Sequence, residues 1–291
     1  GDEAGQVAIV YTVTLDKVNN TGSAITFDIV DAGTGTATSG SDYTAIPGGA
    51  TISVADGSAT GTYSVAVSDD ALLESSETLD ATISNASDAA INIAIASATA
   101  TINDNDNAAG SIDADLSVST DGDEAGQVAI VYTVTLDKVN NTGSAITFDI
   151  ADAGTGTATS GSDYTAIPGG ATISVADGSA TGTYSVVVTD DTLFENDETL
   201  EATISNASDA AINIAAASAT ATISDSDNVA GSIDATLSVT TDGAEAGSAA
   251  IVYTVTLDKA NNTGSAITFD IADAGTGTAT SGSDYTAIPG G

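Results

Sequence analysis

Val128-Ala129-Ile130-Val131-Tyr132-Thr133-Val134-Thr135-Leu136 sets an apolar side chain at every second position. A period of two is the signature of an extended strand, because successive side chains leave the backbone on opposite faces. Working outward, Ser111-Ile112-Asp113-Ala114-Asp115-Leu116-Ser117-Val118 alternates in the same way, and so do Ile146, Phe148 and Ile150. Further runs rich in Val, Ile, Thr and Tyr cover 171–175, 183–189, 199–205 and 218–224, making seven expected strands. Gly, Asn, Asp and Ser fill the gaps, with turn chemistry at Asn140-Asn141-Thr142-Gly143, Pro168-Gly169-Gly170 and Ala176-Asp177-Gly178. The run Ala207-Ser208-Asp209-Ala210-Ala211-Ile212 has helix-like composition but a loop-rich context, and no segment of useful length carries a 3.6-residue period. Seven short alternating strands with turns between them predict an all-β fold, an antiparallel β-sandwich.

This pattern is written almost three times. Gly1-Asp2-Glu3-Ala4-Gly5, Gly122-Asp123-Glu124-Ala125-Gly126 and Gly243-Ala244-Glu245-Ala246-Gly247 open copies spaced 121 residues apart. Over their first 49 positions the first two copies differ only at Val30 and Ala151. A unit of this length is a whole domain in tandem rather than a solenoid repeat of about 20–50 residues. The expected division is 1–106 (a copy without its first strand), 107–227 (complete) and 228–291 (the N-terminal part, roughly three strands). The segments between copies, Asn107-Ala108-Ala109-Gly110 and Asn228-Val229-Ala230-Gly231, are too short for flexible tethers, so neighbouring copies should nearly touch. Both ends fall within a copy and the first residue is Gly1, which suggests a window onto a longer protein.

Composition excludes much. There are 41 acids against three lysines (Lys17, Lys138 and Lys259), a formal net charge of −38. Such a chain repels nucleic acid and anionic lipid, and no run approaches the ~20 apolar residues of a membrane span. Cys, His and Arg are absent, which closes thiolate and His-based catalysis and removes the usual ligands of softer metals. Carboxylate-only glycosidase chemistry stays formally open, yet no Trp provides a sugar platform. Two readings fit the charge: a solubilising acidic surface, or divalent cations as structural components.

The acids are clustered. Gly40-Ser41-Asp42-Tyr43-Thr44, Asp69-Asp70-Ala71-Leu72-Leu73-Glu74 with Glu77, and Asp104-Asn105-Asp106 each fall at a strand end or in a loop, with Glu3 near the start. A sandwich gathers alternate strand ends at one pole, so these carboxylates can converge. Converging carboxylates do not all stay ionised without a cation, and Ca²⁺, which takes six to eight oxygen ligands, fits a purely oxygen donor set best.

At these residues the sequence resembles the Calx-beta family. That pattern is a Gly-x-Asp-Tyr turn, an Asp-Asp-x-x-x-Glu loop with another acid after it, and a terminal Asp-x-Asp. It stands here at Gly40–Tyr43, Asp69–Glu77 and Asp104–Asp106, and returns at Asp163, Asp190, Asp191, Glu195, Glu198, Asp225 and Asp227. The resemblance implies tandem Ig-like sandwiches holding Ca²⁺ at the pole that leads to the next domain. It implies side-chain ligands at Glu3, Asp42, Asp69, Asp70, Glu74, Asp104 and Asp106, with the Leu72 carbonyl as an extra. The second copy would use Glu124, Asp163, Asp190, Asp191, Glu195, Asp225 and Asp227, and the third retains Glu245 and Asp284. Asn105 and Ser226 interrupt what is a longer acidic tail in strong binders, implying fewer ions or weaker sites.

The expected role is structural: a segment of an extracellular bacterial surface fibre or adhesin stalk, stiffened by Ca²⁺ at the joints and not an enzyme. Its partners would be Ca²⁺, neighbouring repeats or further copies of the protein, and a surface receptor reached by regions outside this chain. The alternatives are a filament completed by strand exchange between chains, and a Ca²⁺-sensing module.

Overall fold

The computed structural model describes residues 1–288. In the second repeat one sheet runs Ser179–Val186, Ile130–Asn141, Ile112–Thr120 and Ile212–Ala216 in order. The facing sheet runs Thr172–Val175, Ile146–Asp152, Glu198–Ser205, Ser218–Ser224 and Gly122–Asp123. Alternation is realised as burial: Ile130, Tyr132, Val134 and Leu136 point inward to meet Phe148, Ile173, Leu200 and Ile223 from the other sheet. Interleaving two apolar faces in this way is what a sandwich core requires. Ile146 pairs with Val175 and Glu198 with Ile223, so the register keeps every inward residue on the core side.

Away from the acidic poles, buried tyrosine and asparagine groups are partnered. The Tyr132 hydroxyl donates to the Leu200 carbonyl at 2.7 Å, tying one sheet to the other, and Tyr11 donates to Leu79 in the same way. Asn140 is fully buried and donates through Nδ2 to the Ser144 and Val175 carbonyls at 2.8 and 3.1 Å. Its Oδ1 accepts from the Thr142 amide and hydroxyl. Asn140→Ala strands these groups, and we expect a loss of about 2–4 kcal/mol in urea unfolding; an unchanged midpoint would show that water replaces the side chain. Gly156 packs against the next strand so closely that a Cβ there would lie 2.2 Å from the Thr199 carbonyl oxygen. The Gly-Thr-Gly turns at Gly33–Gly35 and Gly154–Gly156 therefore serve strand packing.

Several expectations are corrected. The second repeat has nine strands rather than seven, the additions being Gly122–Asp123 and Ile212–Ala216. Both are short and pair in parallel with partners about 100 residues away, Ser218–Ser224 and Ile112–Thr120. Ser179–Val186 starts and ends earlier than 183–189, because it pairs with Ile130–Thr135 and continues to Asn140 past a bulge. Asn140 and Asn141 end a strand rather than opening a turn, since a segment of the first repeat pairs with them. In the third repeat Ala235–Thr241 and Val252–Leu257 pair, but Ile267, Phe269 and Ile271 form no strand and stay partly exposed. Their counterparts in the second repeat lie between Thr172–Val175 and Glu198–Ser205, equivalents of which this chain does not contain.

The first repeat keeps the sheet Thr51–Val54, Ile25–Asp31, Glu77–Ser84 and Ser97–Ile102, and the pair Ile9–Thr14 with Thr60–Val65. Its Ile91–Ile95 segment, equivalent to Ile212–Ala216, is irregular, and Ile95 is 80% exposed. The equivalent of Ile112–Thr120, on which that edge would pair, is not among its residues. No helix among the described residues is long and apolar enough to cross a membrane.

Candidate metal centre

Strand topology brings the acidic motifs to one pole of each of the first two repeats. The Asp42 turn follows Ile25–Asp31, the Asp69–Glu74 loop follows Thr60–Val65, and Asp104–Asp106 follows Ser97–Ile102. Glu3 reaches the same place because the Glu3 amide donates to the Asn103 carbonyl at 3.1 Å. Carboxylate oxygens of Glu3, Asp69 and Asp106 lie within 4.8 Å of one another, as do those of Asp42, Asp70 and Glu74. In the second repeat the same spacing joins Glu124, Asp225 and Asp227, and Asp163, Glu195 and Glu198.

Backbone amides orient several of these groups. Thr38 N donates to Asp42 Oδ2, Leu72 N to Asp70 Oδ1 at 2.8 Å, and Asp106 N to Asp104 Oδ1 at 3.0 Å. Tyr43 is buried beneath the turn and its hydroxyl donates to Asp31, so it is a packing residue. Asn105 donates to Asp69 at 3.3 Å and Ser226 lies 3.4 Å from Asp190, so the two residues that interrupt the acidic tail steady the double-Asp loop.

Burial and mutual repulsion show in the titration of the glutamates. Burial, then the charges of Asp104, Asp70 and Glu74, push Glu3 up to about 7. Burial also raises Glu124 to about 7, reinforced by Asp225, although a hydrogen bond from the Ser226 amide opposes it. Glu77 and Glu198 rise to about 8, through burial first and then through Asp42 and Asp163 respectively. Glu74 and Glu195 are raised mainly by burial.

A cation fits what the protein leaves unsatisfied. Glu3 is only 3% exposed, and its Oε2 has no hydrogen-bond partner; the buried Asp104 Oδ2 has none either. Orphaned, buried carboxylate oxygens are costly, and a hard divalent ion relieves both the desolvation and the repulsion. All available donors are oxygens, as Ca²⁺ prefers.

Of the residues expected from sequence, Glu3, Asp42, Asp69, Asp70, Glu74 and Asp106 are gathered into the two groups of the first repeat. Asp104 lies against Glu3. In the second repeat Glu124, Asp163, Glu195, Asp225 and Asp227 are gathered, whereas Asp190 and Asp191 are not part of either close triad. Glu198 joins the site although only its motif position, and no ligand role, was expected of it; its signal was the acid following the Asp-Asp-x-x-x-Glu loop. Glu245 and Asp284 are exposed and join no such group among the described residues.

An all-β chain of repeated Ig-like sandwiches, with a carboxylate pole in each of the first two and neither His nor Cys in the sequence, defines the class. The Calx-beta domain family matches residues 1–106 and 114–227, so the chain belongs to that family, whose members are non-catalytic, calcium-binding Ig-like modules. Among solved structures, CBD12 from CALX1.2 is similar at 16% identity, covering 76% of this chain and 94% of that one with a TM-score of 0.32. The apo-form Calx CBD1 domain covers 40% and 98% at 21% identity, TM-score 0.32. The collagen adhesin from S. aureus covers 89% and 92% at 12% identity, TM-score 0.19. Among curated proteins, none matches the chain at a significant level.

Proposed function

We propose that the chain is a Ca²⁺-binding segment of an extracellular bacterial rod, built of copies at 1–106, 107–227 and 228–291. In this reading Ca²⁺ bound at each pole stiffens the joint to the next copy. The observation that carries it is the pair of buried, unpartnered oxygens on Glu3 and Asp104, beside carboxylates that close the repeat and lead into the next. Direct contact across the joint supports the mechanical role. Leu73–Glu74 pairs with Asn140–Asn141, Ser75 donates to the Thr142 carbonyl at 3.2 Å, and Asn107 donates to the Glu74 carbonyl at 3.3 Å. Extracellular modules bind Ca²⁺ at about 10⁻⁴–10⁻³ M, a range this loosely gathered oxygen set suits.

Calcium titration calorimetry and melting in Ca²⁺ against chelator test the reading. Saturating Ca²⁺ at about 100 times its Kd should stabilise the fold by about 2.7 kcal/mol. Equal melting in the two media would count against a structural ion. A sensing role is the second reading, favoured by Glu74, which belongs to the acidic cluster and also accepts from Asn141 of the following copy at 3.3 Å. Scattering profiles across a Ca²⁺ series separate the two. A bend that changes at micromolar Ca²⁺ supports sensing, and stiffening near millimolar Ca²⁺ supports the rod.

A further inference from the structure

The chain has three lysines at equivalent positions of its three copies, and two of them do the same thing. Lys138 pairs with Asp106, and Lys259 pairs with Asp227. Each lysine belongs to one copy and each aspartate to the copy before it. Lys17, the third equivalent, is exposed and forms no ion pair among the described residues.

Asp106 and Asp227 are not peripheral acids. Asp106 shares its cluster with Glu3 and Asp69, and Asp227 shares its own with Glu124 and Asp225. The ammonium groups therefore sit inside the outer part of each acidic pole. Both lysine side chains are 23% exposed, and their aspartates are 16% and 18% exposed, so these pairs are partly withdrawn from water.

The fold fixes this placement. Lys138 lies on the strand Ile130–Asn141, whose last two residues pair in parallel with Leu73 and Glu74 of the preceding copy. Leu73 is fully buried in the core of the second repeat, which locks that strand against the first repeat's acidic loop. Across the next joint Asn262 N donates to the Phe194 carbonyl at 2.9 Å, and Asn196 donates to the Thr263 carbonyl at 2.9 Å. The geometry is thus built twice.

We propose that Lys138 and Lys259 are tethered counter-ions: each neutralises the last carboxylate of the preceding copy's pole and competes there with a divalent cation. The inference rests on the Ca²⁺ reading for its competitive half and on the ion pairs alone for its other half. A divalent ion that takes Asp106 as a ligand meets an ammonium on the same carboxylate. It must displace that group or bind with one ligand fewer. Without the metal, the lysine is the one cation that forms an ion pair at that end of the pole among the described residues. Each copy's site is consequently tuned by the copy that follows it, and Lys17 shows the same residue without such a partner.

The test uses the full chain with Lys138→Gln, and Lys17→Gln as a control that removes equal charge away from any pole. Calcium calorimetry at fixed ionic strength, with equilibrium dialysis to count ions, reads the competitive half. Lys138→Gln should tighten the affected site about two- to fivefold relative to Lys17→Gln, the range partly exposed ion pairs reach. Equal shifts in the two variants, or weaker binding in Lys138→Gln, overturn the competition. If no variant binds Ca²⁺, the Ca²⁺ reading itself fails. Melting in chelator at low salt then decides the remaining half: Lys138→Gln should melt below Lys17→Gln, and equal melting overturns the counter-ion role.

Discussion

In chelator the melting temperature of this chain should fall by about 4 °C or more between pH 5.5 and 8, what ~1 kcal/mol does in a domain of this size. In saturating Ca²⁺ it should stay nearly level. Glu3 and Glu124 titrate near 7 in the folded chain, and Glu77 and Glu198 near 8, against an ordinary value of 4.5. Between about 4.5 and 8 the folded state therefore holds protons that the unfolded chain has released, and stability declines as pH rises. On the proposed reading, Ca²⁺ binding would expel those protons, so the bound fold would match the unfolded chain and show no such slope. His and Cys, which ordinarily titrate in this window, are absent, so these glutamates dominate the signal. Differential scanning fluorimetry at pH 5.5, 6.5 and 8 suffices. Two parallel curves would mean that the cation does not bind where these glutamates sit.

The second large effect belongs to Leu73. Its side chain is wholly buried and belongs to the hydrophobic core of the second repeat, although its own backbone belongs to the first. Leu73→Ala removes three carbons from that core, and we expect a loss of about 2–5 kcal/mol, divided between the second repeat's stability and the docking of the joint. Urea unfolding reads the first, and an inter-repeat distance distribution from energy transfer reads the second. Leu72→Ala, one residue earlier and only half-buried, should change both far less. An unchanged midpoint and an unchanged distance for Leu73→Ala would remove the plug from the joint. At the next joint Phe194 takes the equivalent position, pairs with Asn261 and stays partly exposed, since the sheet that would enclose it is incomplete among the described residues.

Most of the sandwich was legible because alternation maps directly onto burial. Val134 and Leu136 point inward for the reason their spacing gives. The short strands are not legible in the sequence, because Gly122–Asp123 has too few residues for a period, and Ile212–Ala216 becomes a strand through pairing with Ile112–Ala114, a partner 100 residues away. The identical logic leaves Ile91–Ile95 irregular, so similar segments take different structures according to what lies beside them. The same limit applied to the site. Glu198 is visible as a motif acid, but its approach to Asp163 depends on how the start of the strand Glu198–Ser205 meets the Asp163 turn.

The sequence alone determined the repeat, the all-β class, the acidic motifs in their order and the oxygen-only donor set, because each is a property of residue type and spacing. Tertiary structure alone decided that Leu73 fills the core of the following repeat and that Lys138 reaches back to Asp106. Both are contacts between residues far apart in the chain. No local period records them, and only the docking of one copy on the next brings them together.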